Sequence, residues 1–106
     1  MKWYSDLYVS ESIGKNVNKI KWKVNHNAGT INTYVIALPS NPDNLLDMIP
    51  TYELVQKAYP KKNIHIIGLA KGYEEGINLI QEIIQEVYDA TGAFNIRDYL
   101  NLKGEK

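Results

Sequence analysis

The sequence predicts an α/β domain: a small mixed three-stranded sheet in β-β-α-β-α order, with helices packed on it and room for an extra N-terminal strand. Three observations carry this expectation. Residues 33–38 (TYVIAL) and 64–70 (IHIIGLA) are short, nearly unbroken apolar runs, as strands covered on both faces should be. Residues 72–90 carry Ile77, Ile80, Ile83, Ile84 and Val87 at helical spacing. The 106 residues suit one domain, 1–106, large enough to bury a core without metals or disulfides.

The first segment, residues 3–13 (WYSDLYVSESI), has two readings. Trp3/Leu7 and Tyr4/Tyr8 pair at helical spacing, whereas Leu7-Tyr8-Val9 fits a short strand, so both stay open. In residues 19–26, Ile20, Trp22 and Val24 alternate with Lys19, Lys21 and Lys23. This pattern predicts a strand with one wet face and with Trp22 on the core side. Asn27-Ala28-Gly29-Thr30 supplies turn chemistry, so a hairpin to residues 33–38 follows. Pro39 and Pro42 end that second strand, with Ser40 or Asn41 as N-cap and Pro42 at the first helical position.

Leu45, Leu46, Met48 and Ile49, continued by Leu54, Val55 and Ala58, predict a helix kinked or split at Pro50. Residues 59–63 connect it to the third strand, which the helical crossover makes parallel to the second and right-handed. The long helix then runs from about Gly72 to Ala90, with Gly92 near its C-cap. Residues 94–102 hold one more short helix capped by Asn95, before a polar tail. A two-layer or incomplete three-layer sandwich results.

Composition narrows the function classes. Cysteine is absent, which excludes disulfides, thiolate catalysis and Cys-ligated zinc. Formal net charge is +0 and Arg97 is the single arginine, a balance that argues against nucleic acid as a partner. No apolar run approaches bilayer-spanning length, and Met1-Lys2-Trp3-Tyr4 leads into no signal-peptide core, so the expected location is the cytoplasm, with no membrane partner. Eight Tyr stand against one Phe, a bias suited to side chains that are half-buried around a core or at an interface.

One stretch invites a ligand. In "IHIIGLAKGYEEG" a strand meets a helix through glycines 68, 72 and 76, a layout that can cradle phosphate. Ligands of parallel sheets favour the carboxyl ends of the strands, so Ser40, Asn41, Lys71, Gly72 and Tyr73 form the candidate ligand site. The spacing matches neither a dinucleotide fingerprint nor a P-loop, and Glu74 and Glu75 would repel an anion at the helix start. Gly68 and Gly76 are better explained by close packing of helix on sheet.

No other constellation carries chemistry. His26 and His65, the two histidines, are expected at the sheet edge opposite that site, with no carboxylate nearby in sequence to complete a metal centre. Asp43 and Asp47 stand four apart on the predicted helix, where a solvated, dipole-favoured face explains them. No catalytic residue, metal ligand or cofactor is assigned. Charge is the better signal. Lys15, Lys19, Lys21 and Lys23 fall together without an acid, whereas Glu74, Glu75, Glu82, Glu86 and Asp89 share the long helix without Lys or Arg.

The segments "NPDNLLDMIP" and "GLAKGYEEG", and the Ile/Lys/Asn-rich composition, resemble short single-domain α/β proteins of unassigned function from Gram-positive anaerobic bacteria. That resemblance implies a bacterial source and carries over no activity and no site residue. The functional expectation is a non-enzymatic protein-interaction module, with itself or another protein as partner and a homo-oligomer as its form. The alternative is a protein that binds a small anion or nucleotide at the carboxyl edge of the sheet.

Overall fold

The computed structural model describes residues 1–39, 41, 43–56, 59, 60 and 64–104. Four strands, β1 (Lys2–Val9), β2 (Thr33–Ala37), β3 (Asp47–Pro50) and β4 (His65–Lys71), form one mixed sheet in the order β1-β4-β2-β3. β1 runs parallel to β4, while β2 runs antiparallel to both β4 and β3. The helices are α1 (Val17–Asn25, after a 3₁₀ turn at Gly14–Asn16), α2 (Thr51–Leu54), α3 (Tyr73–Thr91) and α4 (Ile96–Gly104).

The sheet is covered on both sides, because successive strand side chains point to opposite faces. Tyr4, Ile36, Ile67 and Ala70 pack with Leu79, Ile83 and Val87 of α3 and with Ile96 and Leu100 of α4. Their chain neighbours Val35, Ile66 and Leu69 pack with Ile20 and Val24 of α1 and Leu54 of α2. The incomplete three-layer sandwich is therefore what forms. Gly92 closes α3 with φ 72° and donates its N–H to Tyr88 O at 2.7 Å, as a left-handed C-cap does.

Both packing glycines are confirmed by what surrounds them. A Cβ on Gly68 would lie 3.3 Å from Ile36 Cβ and from Tyr8 O, where the register shifts of both neighbouring strands occur. A Cβ on Gly76 would overlap Met48 Sδ, so α3 sits directly on β3 at this point.

Four expectations are corrected. Residues 19–26 are not a strand but belong to α1. The alternation of Ile20 and Val24 is equally an i, i+4 pair, and Val17 extends it to helical spacing. Trp22 therefore leaves the core and is 59% exposed. The turn at residues 27–30 joins a helix to a strand, and no hairpin forms there.

Residues 47–50 are likewise strand, not helix. Pro50 takes extended dihedrals (φ −62°, ψ 138°) at the sheet edge, where its missing N–H costs nothing, and only Thr51–Leu54 turn helical. Because β3 returns alongside β2, the chain enters β4 antiparallel to β2, and the expected parallel crossover between them does not exist. The N-cap and first helical position assigned to Ser40 and Pro42 lie outside the described residues.

Candidate functional site

The expected ligand residues do not come together. Lys71 pairs with Thr33 and Ile66 with Ala37, so the carboxyl end of β4 lies beside the start of β2. Asn41, beyond the other end of β2, is thereby separated from Lys71, Gly72 and Tyr73; it accepts the Asp43 N–H on Oδ1 at 3.0 Å in a local turn. Ser40 lies outside the described residues.

At the Lys71 end three donor atoms already have partners within the chain. The Lys71 N–H goes to Ser10 Oγ (3.1 Å), its Nζ to Ile31 O (2.9 Å), and the Gly72 N–H to Asn32 O (2.7 Å). Gly72 has φ 81° and ψ 156°, a conformation essentially reserved for glycine, so its presence is a backbone requirement. Tyr73 is exposed, its ring edge-on to Tyr34 at 6.1 Å. The first turn of α3 holds its own carboxylate instead of an anion: Glu75 accepts the hydroxyl and the N–H of Ser12.

The hydrogen bonds from Ser12 and then Ser10 hold the Glu75 carboxyl below its ordinary range. A depressed pKa contributes stability above the unfolded carboxylate value of about 4.3, lost as pH falls through the folded value. Glu75→Gln should therefore lower the thermal midpoint at pH 7, and the gap to the unaltered protein should close on acidification. A gap independent of pH in parallel thermal melts would contradict this role.

The histidines part company. His26 stacks on Trp22 (4.1 Å between ring centres), with Nδ1 2.7 Å from Trp22 O, whereas His65 opens β4 beside the Tyr4 ring. Asp43 and Asp47 share no helix. Among the described residues no group of three or more His, Asp or Glu is placed to hold a metal ion. No helix among them is long and apolar enough to cross a membrane.

Opposite the Lys71 end, a cleft of about 610 Å³ opens where β2 leaves the sheet. Ala37, Leu38 and Pro39 line it. Asp47 pairs with Ala37, and the Leu38 N–H donates to His65 O at 3.0 Å, which brings the starts of β3 and β4 to its rim. Tyr59 packs on the α1/α2 side; Arg97 reaches in from α4, its Nη2 3.5 Å from Pro39 O. Burial, then the carboxylates of Glu53 and Asp47, push the Tyr59 hydroxyl above its ordinary value.

Sequence reading missed this cleft, since Asp47, Tyr59, His65 and Arg97 share no spacing. Only the placement of β3 as a strand gathers them.

The two helical layers differ in charge. On α1, Lys19, Trp22 and His26 follow one exposed stripe, with Lys15 preceding it and Lys23 beside it, and there is no acid. Across the sheet, α3 presents Glu74, Glu82 and Asp89 to solvent. Glu75 and Glu86 are held by hydrogen bonds within the chain: Glu75 by Ser12, and Glu86 Oε2 accepts the hydroxyls of Tyr8 (2.7 Å) and Tyr99 (2.8 Å), tying α3 to β1 and α4. Tyr4 is buried with its hydroxyl 3.3 Å from Leu100 O. Several tyrosines thus serve the core and its rim. Tyr88 and Phe94, by contrast, form an exposed stack at the C-terminal end of α3 beside Asp89, matching the Trp22–His26 stack on the basic face.

These features define a mixed-sheet α/β domain with oppositely charged helical layers and a lateral cleft. No protein-family model, curated protein or solved structure matches the chain.

Proposed function

We propose that the chain works by protein contact and not by catalysis, as a self-associating cytoplasmic module in which the α1 face of one copy meets the α3 face of another. Kinship with short α/β proteins of Gram-positive anaerobes belongs to the same proposal. The supporting observation is the pairing of opposite charge with exposed aromatic anchors: Trp22 among Lys15, Lys19 and Lys23, against Tyr88 and Phe94 beside Asp89. Complementary charge steers encounter and fixes register, while buried aromatics supply most of the affinity.

Light scattering over a concentration range tests this reading. At low salt the mean mass should climb above the 12.1 kDa of one chain, and at 1 M salt, where the screening length shrinks to about 3 Å, it should fall back. Lys19→Glu with Lys23→Glu should keep the protein monomeric, and Trp22→Ala should weaken association. A monomer at every concentration and ionic strength defeats the proposal. Exposure of Trp22 among lysines also calls for a titration with single-stranded oligonucleotide. Salt-sensitive binding there that Lys19→Glu abolishes, without any self-association, would transfer the face to a different partner.

A further inference from the structure

The lateral cleft is independent of the charged helical faces, and its chemistry is specific. At about 610 Å³ it falls within the roughly 300–1,000 Å³ typical of small-molecule sites. Leu38, Ile49, Pro60 and Ile64 give it apolar surface, interrupted by Asp47, Tyr59, His65 and Arg97. One carboxylate and one guanidinium reach it from opposite sides of the sheet: Asp47 on the edge strand, Arg97 on α4.

Each of these charges is lightly held. Asp47 receives one contact, from Asn44 Nδ2 at 3.4 Å, and Arg97 gives one, to Pro39 O at 3.5 Å, both at the outer limit of hydrogen bonding. Among the described residues neither forms an ion pair. A guanidinium has five N–H donors in a planar fork that fits a carboxylate, so most of its capacity is unspent. The chain's single arginine stands here, although lysine serves nearly everywhere else.

A ligand of one sign would satisfy one charge and be repelled by the other. Nucleotides and other polyanions would meet Asp47, and polyamines would meet Arg97. A ligand carrying both charges on an apolar body answers both charges and the apolar part of the lining at once. We propose that the cleft binds a free α-amino acid with a branched or aromatic side chain, its carboxylate on Arg97, its ammonium on Asp47 and its side chain against Ile49 and Ile64.

Calorimetric titration with L-leucine and L-phenylalanine, at a salt concentration that keeps the protein monomeric, tests this apart from self-association. N-acetyl-leucine lacks the ammonium and leucinamide lacks the carboxylate. Each should bind at least tenfold more weakly than leucine to the unaltered protein. With Asp47→Asn, leucine and N-acetyl-leucine should become equivalent; with Arg97→Gln, leucine and leucinamide should. No heat from either amino acid at millimolar concentration overturns the proposal. So does equal binding of free and blocked forms, a comparison that needs no variant and is safe from any folding defect. Binding of leucine untouched by both substitutions would place it elsewhere and overturn the site equally.

Discussion

Tyr4→Ala should lower the free energy of unfolding by about 3–5 kcal/mol, the range for emptying a buried aromatic site. Tyr4 is 1% exposed, packs with Ile36, Ile67 and Leu100, and stacks on Tyr8 with ring centres 6.3 Å apart. Its loss opens a cavity beneath α4 and removes the hydrogen bond to Leu100 O. Against a total stability of about 5–15 kcal/mol for a typical domain, such a loss is a large fraction. Tyr4→Phe should cost only about 0.5–1.5 kcal/mol, the worth of the hydroxyl contact. Trp22→Ala, at an exposed position, should change stability by less than about 0.5 kcal/mol. Urea denaturation of the three variants measures the contrast. A large loss at Trp22 with little change at Tyr4 would restore the strand reading of residues 19–26.

Gly72→Ala should destabilise by about 1–3 kcal/mol, the cost of holding a side chain in a backbone region open to glycine. The new Cβ would also stand 3.3 Å from Asn32 Nδ2, on the loop whose carbonyl takes the Gly72 N–H. Gly29→Ala is the control, since nothing lies within 4 Å of a Cβ there; it should be neutral or stabilising by up to about 1 kcal/mol. The outcome separates two meanings of the strand-to-helix junction. If Gly72 kept the backbone bare for a phosphate, alanine would leave stability intact and abolish anion binding. A backbone requirement predicts the stability loss alone, with or without phosphate in the buffer.

What the sequence made legible was whatever one dominant pattern decided. Residues 66–70 (IIGLA) are an unbroken apolar run without a competing period, and the stripe from Ile77 to Val87 holds for several turns before Gly92 stops it. Where two periods coincide, the wrong one could win. In K-I-K-W-K-V the alternation and the i, i+4 pair share Ile20 and Val24, and Trp22 tips the balance toward a strand only if it is assumed to be buried. β1 stayed ambiguous for the opposite reason. Trp3 and Val9 face one layer while Tyr4 and Tyr8 face the other, so both parities are apolar and no alternation appears. At β3, four residues are too few for any period, and Pro50 reads as a helix kink as readily as a strand edge.

Topology followed from that last element. Without β3 the chain reaches β4 parallel to β2, and Asn41 would lie beside Lys71; with it, β2 and β4 oppose, and the candidate ligand set is divided. The cleft has the same origin, because Asp47 reaches its rim only as the partner of Ala37. The charge segregation was plain in the sequence. Its layering across the sheet required knowing that the lysines ride a helix on the face opposite α3.

That layering has a consequence for assembly. α1 and α3 look in opposite directions, so one neighbour cannot engage both, and a two-fold pair cannot satisfy both copies. Association as proposed would build a polar thread, each end displaying what the other lacks. A copy with Lys19→Glu and Lys23→Glu would still offer its α3 surface while refusing an incoming acidic one. Added in small amounts, such copies would terminate growth at one end only, shortening the threads in proportion to their share.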